Sequence, residues 1–136
     1  MTRKNTLLAM GISVAMMQLT GCEYTPSNSF NPLLADSGLT YGAPDFSEIR
    51  PEHYLPAFEA AISEQRDYIQ SITENTEEPN FENTILAFEE SDRTLDRVER
   101  VFFALTNADK TPEITETEKA VMPMLTDLAN DIIFNR

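Results

Sequence analysis

Cysteine occurs once in these 136 residues, so no disulfide can form within the chain. Glycine occurs four times, too few for the many turns of a β sandwich. Basic residues are scarce: ten against 23 acidic, a formal charge of −13. With Arg3 and Lys4 set aside, because their segment reads as removable, eight basic residues remain and the charge is −15. A surface this negative repels phosphate backbones and excludes nucleic acid as a partner. It keeps the chain soluble and leaves basic peptides or metal cations as favoured partners, a solvated acidic exterior being the simpler reading. No apolar run reaches the roughly 20 residues that a membrane-spanning helix needs. What is present is an apolar fraction of 41%, too high for a disordered chain and enough for one domain.

The first stretch reads as an export signal. Arg3 and Lys4 give a positive start, and Thr6 to Leu19 is apolar but short of a bilayer's thickness. The run closes on Leu19-Thr20-Gly21-Cys22, which resembles the lipobox of bacterial lipoproteins. That resemblance implies cleavage before Cys22, a diacylglycerol on its thiol and an acylated new amino terminus. Several acyl chains anchor far more firmly than one. Glu23 follows the lipid site; lipoproteins without aspartate there usually move on to the outer membrane of two-membrane bacteria, facing the periplasm. Residues 1–21 are thus expected to be a lipoprotein signal peptide, 22–30 a polar tether containing Pro26, Ser27, Asn28 and Ser29, and 31–136 an incomplete helical region.

Helical periodicity dominates after the tether, and the fold class it predicts is all-α, an antiparallel hairpin or three-helix segment. The longest signal runs from Asn80 to Asn107. Phe81, Ile85, Phe88, Leu95, Val98, Phe102 and Leu105 form one stripe, with no proline or glycine to interrupt it. A continuous helix there would be roughly 40 Å long at 1.5 Å per residue. Asn80 suits its cap, Glu82 its first turn, and Glu89 with Arg93 and Asp96 with Arg100 stand four apart in the favourable order. An earlier helix is expected from about Leu55 to Thr73, with Pro56 at its first position and a stripe of Leu55, Phe58, Ile62, Ile69 and Ile72, which Gln65 breaks. A third follows Thr111-Pro112 and carries Ile114, Val121, Leu125, Leu128 and Ile132, with Pro123 expected to kink it. Leu39 to Phe46 is read as an extended arm across the helices. The short connectors make neighbouring helices antiparallel. The final Ile133-Phe134-Asn135-Arg136 is still apolar and has no stop signal, which suggests a fragment of a longer polypeptide.

Several motifs carry a family resemblance. Asn31-Pro32, Tyr41-Gly42-Ala43-Pro44-Asp45-Phe46, His53-Tyr54-Leu55-Pro56-Ala57-Phe58, Pro79-Asn80-Phe81-Glu82-Asn83-Thr84-Ile85, Arg97-Val98-Glu99-Arg100-Val101-Phe102-Phe103 and Leu128-Ala129-Asn130-Asp131-Ile132 occur in this order. Together they resemble the amino-terminal region of peptidyl-dipeptidases, dipeptidyl carboxypeptidases of the thimet-oligopeptidase-like zinc metallopeptidase family. The resemblance implies a mostly helical enzyme with a deep channel, which cleaves short peptides and whose amino-terminal helices form one wall. The family's chemistry rests on His-Glu-x-x-His, two imidazoles one helical turn apart on zinc with a glutamate to activate water. This chain has one histidine, His53, and no such pattern. It is therefore expected to bind no zinc and to be inactive alone; zinc and oligopeptide substrates belong to the carboxyl-terminal half.

No catalytic or metal-binding residue is assigned, and the one modified residue expected is Cys22, through which the chain meets the membrane. A lone histidine in a first turn is normally a capping or packing group. Phe102-Phe103 is read as core in preference to channel lining. Glu74, Glu77 and Glu78 lack the spacing and the glycine of a calcium loop. With His53 the single base and Cys22 given to lipid, no nucleophilic triad can be assembled. Two functions stand: a segment of a lipid-anchored zinc peptidase, exo- or endo-acting, or a self-sufficient helical lipoprotein that serves binding or structure.

Overall fold

The computed structural model describes residues 30–134, and all statements of structure refer to these. The expected signal peptide, Cys22 and most of the tether lie outside them. The described chain is all-α, with no strand. Its elements are α1 (Pro51–Thr73), a π-helical turn (Phe81–Leu86), α2 (Ala87–Ser91), α3 (Arg93–Ala108) and α4 (Pro112–Ile133), preceded by a single 3-10 turn at Thr40–Gly42.

The first helix is the common support. Both α3 and α4 pack on it more closely than on each other. Its buried face is Tyr54, Ala57, Phe58, Ala61, Ile62 and Gln65, alternating steps of three and one that keep to one side. Ala57 and Ala61 are fully enclosed, so small side chains admit close approach where Tyr54 and Phe58 fill the flanking space. Opposite them lie Leu95, Val98, Val101 and Phe102 of α3 and Ile114, Val121 and Leu128 of α4. Phe102 is the aromatic centre: its ring lies 5.1 Å from Tyr54, 5.3 Å from Phe58 edge-on, and 5.3 Å from Phe103 edge-on. Such pairs add about 0.5–1.5 kcal/mol each beyond the area they bury. Because the start of α1 meets the end of α3, these two run antiparallel. Arg66 reaches Asp131 at 2.8 Å, placing the later turns of α1 beside the end of α4, so those two run parallel.

The caps follow from sequence. Asn80 and Asn83 satisfy each other's backbone N–H groups at 2.9 and 2.8 Å. The Thr111 hydroxyl accepts from Ile114 N–H, and Pro112 fills the first helical position. At α1 the start differs from expectation. Pro51, not Pro56, takes the first position, and Pro56 lies inside the helix. Pro56 and Glu52, whose carbonyl it leaves without a partner, are both exposed, so water can replace the lost bond. Pro123 is likewise exposed and inside α4, which continues through it.

The long middle helix is a second correction. The chain from Phe81 winds first as a π turn, then as five α-helical residues, and breaks at Asp92 (φ −98°, ψ 0°) before α3. Neither glycine nor proline causes this. Ser91 is buried and its hydroxyl donates to the Phe88 carbonyl at 2.7 Å, and short polar side chains compete in this way with the helical ladder. The π turn adds a residue to its winding and shifts the face. The stripe is therefore not buried as a whole: Leu95, Val98 and Phe102 are in the core, whereas Phe81, Ile85, Leu86 and Phe88 stay about half exposed. Arg93 pairs with Glu90 instead of Glu89, and Arg100 pairs with Asp96 as expected.

The arm is turned, not extended. Tyr41 (φ 61°) and Gly42 (φ 66°) are both left-handed, and the Tyr41 side chain is wholly exposed. Leu33 enters the core. Asn31 donates to the His53 carbonyl at 2.8 Å, and Arg97 clamps the Leu34 carbonyl and the Asp36 carboxylate at 3.0 and 2.9 Å.

Two stability outcomes follow. Phe102→Ala is expected to cost about 3–5 kcal/mol, whereas Phe81→Ala costs well under that because its ring is already wet. The Tyr54 hydroxyl is enclosed without a partner, and an unsatisfied group of this kind costs about 1–3 kcal/mol. Tyr54→Phe should therefore raise the urea midpoint. Chemical denaturation of the three variants against the parent chain checks both.

Candidate functional site

His53 belongs to the α1 cap. Its Nδ1 accepts from the Arg50 backbone N–H at 3.1 Å, and the His53 backbone N–H donates to the Arg50 carbonyl at 3.0 Å. The imidazole is thus committed to holding the entry of α1. Phe102 is fully buried and Phe103 partly so, both in the aromatic cluster. Glu74, Glu77 and Glu78 are exposed, and Glu77 N–H closes a turn on Asn75. Among the described residues no group of three His, Cys, Asp or Glu side chains can hold a metal ion. The zinc implied by the family resemblance finds no donor set here: the sole imidazole is engaged as a cap acceptor.

The structure assembles a different constellation. Because α3 and α4 lean on α1 rather than on one another, a groove of about 250 Å³ opens between them. Its walls are Leu95, Asp92, Asp96 and Glu99 from the α3 side and Leu125, Leu128, Ala129 and Ile132 from α4, with Gln65 of α1 among the lining residues. Gln65 is only 6% exposed, and its Oε1 is enclosed without a hydrogen-bond donor. Asp96 is paired with Arg100 at 2.7 Å. Asp92 and Glu99 have no ion-pair partner among the described residues. Burial, then the like charges of Asp96 and Asp92, push the Glu99 carboxyl above its ordinary range. In the sequence these acids are part of a generally acidic exterior, and Gln65 is an interruption of an apolar stripe. The readable signal was that interruption: an amide at a core position of an otherwise apolar stripe.

The sign of the Glu99 effect is fixed by that shift. An acid whose folded pKa is raised binds its proton more tightly in the folded state, so stability falls as pH rises from its ordinary value of 4.5 through the raised one. Glu99→Gln is expected to raise the melting temperature at pH 7, and the gain should close as pH is lowered to about 4. Thermal unfolding of both proteins across that range measures it.

A second cavity, about 260 Å³, lies between the arm and α3, lined by Leu33, Pro44, Ile49, Arg97 and Val101 among others. It is chiefly apolar and gathers no catalytic set. No described helix is long and apolar enough to cross a membrane.

No protein-family model matches the chain. It is 42% identical over 107 residues to a dipeptidyl carboxypeptidase of Escherichia coli, 79% of this chain and 16% of that protein. The same identity and coverage hold for the Salmonella typhimurium dipeptidyl carboxypeptidase. Oligopeptidase A of Haemophilus influenzae is 33% identical over 99 residues, 71% of this chain and 14% of that protein. The chain thus spans about a sixth of the length of the curated relatives it matches. Over about four-fifths of its length, it is similar in sequence to dipeptidyl carboxypeptidases and, at lower identity, to oligopeptidase A.

Proposed function

We propose that this chain is the amino-terminal segment of a lipid-anchored zinc peptidyl-dipeptidase that cleaves short peptides outside the cytoplasm. The observation that carries the reading is the 42% identity to dipeptidyl carboxypeptidase across 107 residues. On this reading the metal and its chemistry sit in the remainder of the enzyme; His-Glu-x-x-His does not occur within these 136 residues. Within these residues, the work is architectural. The three helices and the clamped arm give a rigid wall, and the exposed face of Phe81, Ile85 and Phe88 offers apolar surface to the remainder of such an enzyme. The lipid on Cys22 would hold that enzyme at the membrane, on the periplasmic side of an outer membrane.

A second reading, a self-sufficient helical module, is favoured by the core that α1, α3, α4 and Leu33 close among themselves. The gene decides between them. A frame that continues into His-Glu-x-x-His, with a product that releases dipeptides and loses activity to a zinc chelator, supports the peptidase. A frame without that motif overturns it in favour of the module. In either case the 136-residue chain alone is expected to hydrolyse no peptide. Metabolic labelling with palmitate should mark the parent and not Cys22→Ala, and an unlabelled parent would defeat the lipid anchor.

A further inference from the structure

The groove between α3 and α4 has unmet demands of one kind. Asp92 and Glu99 are acceptors without a cation among the described residues, and the enclosed Oε1 of Gln65 has no hydrogen-bond donor among them. Rotation about the terminal bond of Gln65 turns its oxygen or its nitrogen outward at little cost. The opposite wall is aliphatic, from Leu125, Leu128 and Ile132. A neutral or anionic occupant leaves the carboxylates uncompensated, and no three side chains here are placed to hold a metal ion. The complementary shape is an aliphatic stem that ends in several N–H donors on a positive charge. Arginine has that form: a methylene stem that packs on leucines and a planar fork of five donors.

We propose that this groove is a binding site for an arginine side chain presented by a peptide, with Glu99 and Asp92 receiving the guanidinium and Gln65 completing its hydrogen bonds. The site explains why three carboxylates are gathered around a half-buried position where mutual repulsion works against folding. It also gives a use to an amide that breaks the apolar face of α1. The inference needs this chain alone, so it stands or falls separately from the zinc peptidase reading.

The experiment uses the full 136-residue chain, ¹⁵N-labelled, titrated with a capped tripeptide of alanine, arginine and alanine. A matched peptide carries citrulline, the uncharged isostere, in place of arginine. The arginine peptide is expected to shift the Gln65 side-chain amide and the backbone of Leu128 and Ile132, with citrulline binding at least tenfold more weakly. Glu99→Gln should weaken the arginine peptide at least tenfold while melting no lower than the parent, which separates lost binding from lost fold. Glu116→Gln, an acid remote from the groove, serves as the control for diffuse charge. No binding, shifts confined to other surfaces, equal affinity for citrulline, an unchanged affinity in Glu99→Gln, or an equal loss in Glu116→Gln would each overturn the proposal.

Discussion

The contact of α3 and α4 with one face of α1 is the constraint from which the rest follows. Ala57 and Ala61 let the helices come close, and Phe58 and Tyr54 meet Phe102 across the gap. Full burial of a side chain of the size of Phe102 contributes about 1.5–3 kcal/mol, far more than any exposed ion pair. The Arg66–Asp131 bridge illustrates the contrast: both groups are about half exposed, so it orients the end of α4 without holding it. Two helices that share one support need not touch each other along their length. The groove is therefore a product of the same packing that builds the core.

Helix existence was legible because periodicity reports which residues a helix hides. The Thr111-Pro112 start and the Asn80 cap were legible because capping chemistry is local. The fracture of the middle helix was not. The spacing from Phe81 to Leu105 satisfies a continuous stripe, and nothing in local propensity marks Asp92 as a break. The break coincides with a buried Ser91 whose hydroxyl takes the Phe88 carbonyl, and its burial is a tertiary event. The arm misled for a related reason. Alternation between apolar residues and turn formers fits an extended chain, but Tyr41 and Gly42 adopt left-handed backbone that alternation does not encode. Pro56 shows a third limit: proline marks a helix start strongly, yet one turn inside an exposed face it is also tolerated.

The site was less legible than the fold, since it is built from three separate helices. Asp92, Asp96 and Glu99 look like any charged outer face when α3 is taken alone. What turns them into a wall is the presence of Leu125, Leu128, Ala129 and Ile132 of α4 across the groove, and no window of sequence contains that. In the sequence Gln65 is visible only as a break in an apolar stripe. In a packed interior, a polar group without a partner is costly, so its presence asks for an explanation that a surface glutamine does not.

Two surfaces of this segment carry unmet demands, and they differ in kind. The half-wet Phe81, Ile85, Leu86 and Phe88 ask only to leave water, a requirement that any apolar surface meets and that specifies no partner. Under the proposed reading, the larger enzyme supplies it. The groove asks for a particular charge with a particular donor geometry, because Glu99 is held near like charges and partly away from solvent. Directional, charged demands discriminate between occupants and apolar ones do not. Under that same reading, a wall beside a peptidase channel has use for both, one face to join the body and another to distinguish what approaches. The first demand is met by bulk apolar surface alone, whereas the second is set by the chemistry of Gln65 and Glu99.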